Sequence, residues 1–400
     1  MRSGPAKGTA PACGGDSPRA RGLSLRRRRC PLRLALGLVV ALAAAPAAAA
    51  TPGAFPGPRE YADDWRGWPV APDDSQHPVR GSFLDPRPDG FHIGIDINVR
   101  DDRPAEGAPP RRSHRVHALE GGIVQMPANT ASVGCANRQV DVGHFSYWHV
   151  DPIGVVLPGQ FVAPGQHIGW TCTDMWHVHL SEWALLDGER VWVNPLDPRG
   201  KLHPFADRRA PRIGPIGFFT PAPTRWNVGA ANAIDVPQAG TRLAPLRLRG
   251  LVDVRAAIAD PQSEPGWFGE LPALDAPHHP YRVRLEITRL ADGRRVLARD
   301  VVRAEALSLD GKALPPFARP TRFTTHYAPG TRQNLAALHC LRGVAGRPCA
   351  GSYSLRLFAR PGGTYWNTRL ARNGRYRLVV HAWDTRGNRA TRAVTIAIRN

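Results

Sequence analysis

The sequence predicts an all-β protein built from antiparallel sheets. Short runs rich in β-branched and aromatic residues favour this class, as do the turn-forming Gly and Pro residues that separate them at close spacing. The chain contains 40 Gly and 40 Pro among 400 residues, and no long 3.6-residue periodicity interrupts the runs. This length leaves room for two or three domains, each large enough to bury a core.

The first element, residues 1–50, has the features of a secretion signal. The basic stretch RRRRC precedes the apolar run LALGLVVALAAAPAAAA, which ends in small residues suited to a signal peptidase. A membrane anchor is the alternative, but the strongly apolar part is short for a span. We therefore expect cleavage near Ala50, a secreted or cell-envelope location, and no membrane span after processing.

The charge of the chain indicates an anionic partner. The formal net charge is +20, and residues 1–50 contribute nine Lys or Arg and one acidic residue, so +12 (20 − 8) remains after processing. Such an excess suits nucleic acid or an anionic cell envelope. No basic run interleaved with aromatics follows residue 50, so we predict no nucleic-acid partner and favour anionic wall polymers.

Four cysteines remain after processing, and an exported chain favours disulfides. The four permit three pairings, and no CxxC pair suggests a thiolate metal site. We favour local pairing, with free thiols as the alternative: Cys135 with Cys172, and Cys340 with Cys349.

Composition divides the rest of the chain into four segments. Residues 51–76 are a Pro- and Asp-rich lead-in, and 77–206 form a β-rich domain with close turns such as LPGQ and APGQ. Residues 207–245, rich in Pro, Ala and Gly, are predicted to be a linker with one or two packed strands. Alternation resumes over 246–400, where an irregular insertion occupies about 305–365.

The last two alternating runs, GRYRLVVHAW and RATRAVTIAIRN, are joined by the turn DTRGN and predict a hairpin. This hairpin resembles the closing hairpin of bacterial immunoglobulin-like or fibronectin-type sandwiches. We therefore expect residues 246–400 to form an immunoglobulin-like β-sandwich.

The stretch HVHLSEW contains two histidines one residue apart. In a strand, alternate residues point to the same face, so His177 and His179 would project together with Cα atoms about 6.5 Å apart. On a helix, residues two apart diverge. The alternation of polar His and Ser with Val and Leu favours a strand. Two histidines in this arrangement are consistent with three roles: buried core residues, exposed surface residues, or parts of a functional site.

The stretch FHIGIDI places an imidazole and a carboxylate on the side opposite its apolar residues. A zinc ion takes both nitrogen and oxygen ligands. An extended strand would set the Cα atoms of His92 and Asp96 about 13 Å apart, too far for one ion. A metal site therefore requires the chain to bend between them, and Gly94 is the residue that bends most easily. The alternative is a pleated strand with exposed His and Asp.

A further histidine, His149 in SYWHVDPI, is expected near a strand end, before an Asp-Pro turn. Two acidic residues lie near the HVH stretch, Asp174 and Glu182, and we expect both to be solvated rather than to contact the histidines.

Together these stretches resemble the lysostaphin-like (LytM-like) zinc metalloendopeptidases, which cleave peptidoglycan. The family signature is HxxxD, then Tyr-x-His, then HxH. It is present here in that order as His92-Ile-Gly-Ile-Asp96, Tyr147-Trp-His149 and His177-Val-His179. The segments ALEGGIV, VLPGQFVAPGQHIGWT and VNPLDP also look like connecting elements of the family. The resemblance covers 77–206 and implies the compact antiparallel fold of that family, a duplicated hybrid motif.

Carried over by position, the resemblance implies that His92, Asp96 and His179 bind Zn²⁺. Three ligands leave a fourth position for water, as a catalytic zinc site requires. His149 and His177 would be catalytic residues that orient and deprotonate this water and stabilise the oxyanion.

The resemblance thus implies a secreted zinc metalloendopeptidase that hydrolyses peptide bonds in peptidoglycan stem or cross-bridge peptides, with residues 77–206 as its zinc metallopeptidase domain. Two alternatives remain open. One is an envelope-binding or regulatory protein that has the same fold and does not cleave. The other is a zinc endopeptidase that acts on a protein.

Overall fold

The computed structural model describes most of the chain after residue 58. The described residues are 59–87, 90–99, 106–110, 112–173, 175, 177–186, 188–227, 233–235, 240–262, 266–268, 271–274, 277–308, 326–332, 352–359 and 363–400. The expected secretion signal and the expected Cys340–Cys349 disulfide lie outside these residues.

The described residues are nearly all-β, with 47% strand and 3% helix, and their sheets are antiparallel. The predicted class is therefore confirmed. In the first half the strands are β1 (Val79–Gly81), β2 (Pro86–Arg87), β3 (Gly90–Phe91), β4 (Ile95–Asn98), β5 (Arg112–His117), β6 (Gly122–Ile123), β7 (Gln139–Val142), β8 (Phe145–Trp148), β9 (Val150–Asp151), β10 (Phe161–Val162), β11 (His167–Cys172), β12 (His177–Leu186) and β13 (Glu189–Val193).

The second half contains the remaining strands. They are β14 (Arg212–Phe219), β15 (Arg225–Asn227), β16 (Ala233–Asp235), β17 (Leu251–Ala259), β18 (Gly266–Phe268), β19 (Leu271–Leu274), β20 (Arg282–Arg289), β21 (Arg295–Arg303), β22 (Ala306–Ser308), β23 (Ser354–Arg356), β24 (Trp366–Asn367), β25 (Gly374–Trp383) and β26 (Arg389–Ile398). Two 3₁₀ turns occur in the described residues, Cys135–Asn137 and Thr368–Leu370.

The central sheet of the first half is organised around β12, the strand that begins with HVH. One edge of β12 pairs with β4 through residues 177–180, and β13 pairs with it further along. The opposite side pairs with β8 through residues 179–182, and β7 extends the sheet beyond β8. Since β12 lies between β4 and β8, residues distant in sequence are brought beside its histidines.

One strand of this sheet comes from the second half of the chain. β22 pairs with β13, so that Ala306 lies opposite Val193. Buried apolar residues of both halves also belong to one continuous core, and the described residues form one compact unit. The segment predicted as an insertion therefore contributes a strand to the sheet that carries the histidines.

The lead-in and the predicted linker are both ordered where the structure describes them. Trp68 is fully buried, and its indole nitrogen donates a 2.8 Å hydrogen bond to Pro204 O. In the predicted linker, β14 is eight residues long and pairs with β17. Residues 207–245 thus supply a strand to a sheet of the second half in addition to connecting the two halves.

The sheet β21-β20-β25-β26 shows why these sequences form strands. In β20 the apolar residues Val283, Leu285 and Ile287 are buried while the charged residues between them are half-exposed, the two-residue period of a strand that covers a core with one face. β25 and β26 pair in register along their length. Their connection through DTRGN confirms the predicted hairpin, with Gly387 in the left-handed region at φ 87°.

A disulfide joins Cys135, in the first 3₁₀ turn, to Cys172, at the end of β11. This is the pairing that the sequence favours. It fixes the loop before β7 to the strand that precedes the HVH segment by only a few residues.

Removing this disulfide is expected to lower the free energy of unfolding. The bridge closes a loop between residues 37 apart, and restricting the unfolded chain by such a loop stabilises the fold by about 3–4 kcal/mol. A Cys135→Ser/Cys172→Ser variant should unfold at a lower urea concentration and with a steeper dependence on urea, because its unfolded chain is less compact. A variant with the wild-type midpoint would contradict this expectation.

Candidate metal centre

The register of the central sheet brings the predicted residues together. β12 runs antiparallel to β4 with His179 opposite Asp96 and His177 opposite Asn98. Both histidines approach the same carboxylate oxygen, Asp96 Oδ1, with His179 Nδ1 at 3.2 Å and His177 Nε2 at 3.5 Å. The two imidazoles therefore share one face of the strand, as the alternation predicts.

The chain bends between His92 and Asp96 at the predicted glycine. β3 ends at residue 91, Gly94 is a bend, and β4 starts at residue 95. A Cβ atom on Gly94 would lie 2.3 Å from Leu180 O on β12, closer than any side chain tolerates. Glycine thus permits both the bend and the close approach of β12, and it brings His92 Nε2 to 3.1 Å from Asp96 Oδ1.

Three donor atoms converge on one point: His92 Nε2, His179 Nδ1 and Asp96 Oδ1 lie within 4.8 Å of one another. The two ring nitrogens are 2.8 Å apart. Ligands of a tetrahedral ion with bonds of about 2.1 Å are separated by roughly 3.4 Å, so small side-chain movements suffice to accommodate one. This group can hold a metal ion.

Hydrogen bonds on the far side of each imidazole fix its orientation. His92 Nδ1 lies 2.9 Å from Ser82 O; because a carbonyl only accepts, this nitrogen carries the proton and Nε2 keeps its lone pair. His179 Nε2 lies 2.8 Å from Ser181 Oγ, which leaves Nδ1 toward the cluster. Carbonyl and hydroxyl partners of this kind orient histidine ligands in metal sites.

The charge states of His92 and Asp96 also suit a cation. Burial lowers the pKa of His92 to about 4, with a further contribution from Arg87, so this ring is neutral at pH 7. Burial by itself would raise the pKa of Asp96, but His92, His177 and hydrogen bonds from the histidines hold it well below its usual value. The cluster therefore combines a neutral imidazole at His92 with a carboxylate anion at Asp96.

Two arginines adjoin this cluster, and neither belongs to a motif that the sequence analysis uses. Arg87 Nη2 donates a 2.9 Å hydrogen bond to Asp96 Oδ2, so Oδ1 is the oxygen turned toward the imidazoles. Arg80 is only 4% exposed, and its Nη2 lies 2.6 Å from His177 Nδ1 and 3.1 Å from His177 Nε2. Both arginines are far from HVH in the sequence, so no local pattern identifies them as neighbours of the centre.

His177 lies beside the three donor atoms rather than among them. Its Nδ1 lies 2.6 Å from both Met175 O and Arg80 Nη2. With the proton on Nδ1 donated to the carbonyl, Nε2 accepts from the same arginine nitrogen at 3.1 Å. Burial, followed by the charge of Arg80, lowers its pKa well below the usual value. The ring is therefore neutral at pH 7 and presents a lone pair close to Asp96.

His149 occupies the point where the chain passes from β8 to β9, that is, from one sheet to the next. Its backbone is in the left-handed region at φ 63°, a conformation rare for residues other than glycine and concentrated at functional sites. Its Nδ1 bonds to Ala136 O, and its ring centre is 4.7 Å from that of His177. Burial lowers its pKa.

All five residues predicted from the sequence thus lie around one centre. His92, Asp96 and His177 are buried, whereas His149 and His179 are partly exposed. A molecule in solution would therefore reach the centre from the side of these two rings.

The prediction for Glu182 is wrong. This residue is 1% exposed and pairs with Arg59 and Tyr61 from the lead-in, so it is a buried ionic partner rather than a solvated one. The partners of Glu182 are a basic and an aromatic residue some 120 positions earlier in the chain. No local sequence pattern marks a contact over that distance. Asp174, the other acidic residue considered, lies outside the described residues.

No family model, curated protein or solved structure was found to match the chain. Among the described residues, no helix is long and apolar enough to span a membrane.

Proposed function

We propose that this chain is a secreted zinc metalloendopeptidase that hydrolyses peptide bonds in peptidoglycan stem or cross-bridge peptides. The observation that carries the proposal is the convergence of His92 Nε2, His179 Nδ1 and Asp96 Oδ1, with two further imidazoles beside them. Three ligands from the protein and an accessible side are the arrangement of a catalytic rather than a structural zinc site.

The donor set favours zinc over other cations. Two imidazole nitrogens and one carboxylate suit Zn²⁺, whereas Ca²⁺ and Mg²⁺ prefer oxygen ligands throughout. When bound, such an ion would supply Lewis-acid polarisation of a carbonyl group and would lower the pKa of a water molecule.

The chain itself supplies the groups that handle the proton. His177 is neutral and holds Nε2 near the donor cluster, 3.1 Å from Arg80 Nη2. It can accept a proton from an attacking water that takes the place of the arginine at this nitrogen. His149, 4.7 Å away and partly exposed, uses its Nδ1 proton on Ala136 O and therefore presents Nε2 as a second acceptor that can orient the attacking water. A neutral imidazole is the form that can accept a proton or a hydrogen bond, and burial keeps both rings in that form.

The substrate class rests on the resemblance of the HxxxD, Tyr-x-His and HxH stretches to the lysostaphin-like family, and on the expected export of the chain. The finer fold assignments belong to the same proposal: a metallopeptidase domain of the duplicated hybrid motif type, followed by an immunoglobulin-like sandwich. The basic excess of +12 after the leader supports retention on anionic wall polymers.

Hydrolysis of purified cell walls is expected to depend on both metal and the two non-ligand histidines. A His177→Ala variant should bind as much zinc as the wild type while its turnover falls about 10²–10⁴-fold, because it loses only the proton acceptor. The measurements are release of new amino groups from walls and zinc content by elemental analysis. A chelator should stop the wild-type reaction, and added zinc should restore it.

His167→Ala is the matched control, because this histidine lies on β11 and bonds to Gly169 O rather than to the centre. It should cleave walls at the wild-type rate. Walls left intact by zinc-loaded wild-type protein would refute the proposed substrate. Cleavage of an envelope protein in that experiment would favour a protein substrate, and no cleavage of either would favour a binding protein.

A further inference from the structure

A second group of ligand-type side chains lies away from the histidines. Asp207, Asp260 and Asp384 bring carboxylate oxygens within 4.8 Å of one another. They are 8%, 4% and 0% exposed, respectively. Three carboxylates this close and this buried repel one another strongly unless a positive charge or bound protons compensate them.

The three residues come from three separate parts of the fold. Asp207 lies in the predicted linker ahead of β14, Asp260 directly follows β17, and Asp384 begins the turn after β25. Asn388, at the other end of that turn, donates through Nδ2 to Asp384 Oδ2 at 2.6 Å and to Asp207 O at 2.9 Å. The turn and the linker segment are thereby held side by side.

Asp260 provides the second observation. Its backbone is fully paired with His278, but its side-chain Oδ1 is buried and has no hydrogen-bond partner in the part of the chain that the structure describes. A buried carboxylate oxygen without a donor costs the protein free energy. The carboxylate faces two other acids, so the partner that best suits it is a cation.

Among the described residues, the arginines near the cluster offset its negative charge only in part. Burial, then Asp384 and Asp207, raise the pKa of Asp260 well above its usual value, although Arg209 lowers it. Arg209 Nη1 is directed to Gln262 O at 2.7 Å, and the Arg386 guanidinium lies over the Phe205 ring.

The electrostatic fields on Asp384 and on the neighbouring His278 agree with this. Burial and Asp207 are among the causes that raise the pKa of Asp384 to about 6. Burial lowers the pKa of His278 to about 4, so this ring adds no positive charge at pH 7.

We propose that Asp207, Asp260 and Asp384 form a binding site for one Ca²⁺ ion, separate from the histidine centre. The donors are oxygens only, which selects a hard cation over zinc. Carboxylate oxygens that already accept one hydrogen bond keep a second lone pair for a metal. The buried position leaves little space for the water shell that Mg²⁺ retains.

The ion would join the linker segment, the end of β17 and the β25–β26 turn, and so stabilise the second half of the protein. Extracellular modules bind calcium with dissociation constants of about 10⁻⁴–10⁻³ M. An exported chain would meet calcium in that range, and this site requires no zinc chemistry and no peptidase activity.

The test is a calcium titration of the purified full chain after dialysis against a chelator, with equal zinc restored to every sample. We expect one Ca²⁺ per chain by calorimetry. The melting temperature should rise by about 5 °C at a hundredfold excess over the dissociation constant. An Asp260→Asn variant should bind calcium at least ~10-fold more weakly and lose most of the rise.

Asp292→Asn is the matched control, because this aspartate is exposed in a turn of the same sheet and pairs with Arg289; it should respond as the wild type does. If protons rather than calcium compensate the cluster, calcium leaves the wild-type melting temperature unchanged and Asp260→Asn is at least as stable as the wild type. That result overturns the proposal, as does calcium binding of equal strength in Asp260→Asn.

Discussion

A His179→Ala variant is expected to lose about 10²–10³-fold in zinc affinity while it remains folded. Structural zinc sites with four ligands contribute about 10–16 kcal/mol, so one ligand accounts for roughly 3–4 kcal/mol. His179 is 13% exposed at its side chain and lies at the accessible edge of the centre, which limits the structural cost of the substitution. The measurement is calorimetric zinc titration of the chelator-treated protein, with circular dichroism as the test of folding.

The hydroxyl behind this imidazole gives the experiment a graded control. Ser181 Oγ lies 2.8 Å from His179 Nε2 and orients the ring without belonging to the donor cluster. Ser181→Ala should therefore weaken zinc binding by only about 10–100-fold, and His167→Ala should leave it unchanged. Equal zinc affinity in His179→Ala and wild type would show that the three donor atoms do not form the site, and the proposed hydrolase function would fall with it.

The parts of this centre that follow from the sequence are those set by local pattern. Alternation in HVHLSEW places His177 and His179 on one face of a strand, and the register of β12 against β4 bears this out. Gly94 could be identified because two ligands four residues apart cannot share an ion on an extended strand.

The sequence does not reveal which residues from distant parts of the chain surround the centre. Arg80 and Arg87 reach the centre from β1 and β2, and nothing in their local sequence marks them. The same holds for the carboxylates of Asp207, Asp260 and Asp384, which meet only when the linker, β17 and the last hairpin pack together. Side-chain chemistry at such points depends on tertiary packing, which periodicity does not encode.

The strand order shows the same limit at the level of the fold. Hairpins such as β25–β26 are predictable because turn residues and alternation lie within one short window. The pairing of β22 with β13 is not, since it joins residues more than a hundred positions apart. The all-β class and the hairpin were therefore accessible, whereas the assignment of a late strand to the early sheet was not.

The second large effect is expected on the free energy of unfolding, from the buried ion pair between the lead-in and β12. Arg59 Nη1 lies 2.7 Å from Glu182 Oε1, and the two side chains are 2% and 1% exposed. An Arg59→Ala variant should lower the free energy of unfolding by about 3–5 kcal/mol, because it leaves a buried carboxylate without its countercharge. Urea unfolding at pH 7 measures this loss.

The pH dependence of that loss identifies its cause. Burial already raises the pKa of Glu182 in the presence of Arg59, and removal of the guanidinium should raise it further. A carboxyl group whose folded pKa exceeds its unfolded value favours folding when protonated, and this advantage is lost as the pH rises from about 4.5 through the folded pKa. The deficit of Arg59→Ala should therefore shrink between pH 7 and pH 5.

Removing the unpaired charge of Glu182 should also restore the free energy of unfolding at pH 7. In Arg59→Ala/Glu182→Gln the neutral amide can still accept the hydrogen bond that Tyr61 donates to Glu182 Oε1, so most of the loss should be recovered. Arg289→Ala, which removes an arginine from an exposed pair with Asp292, should unfold at the wild-type urea concentration. A deficit in Arg59→Ala that persists unchanged at pH 5 and in the double variant would assign the effect to lost packing of the arginine stem instead of the buried charge.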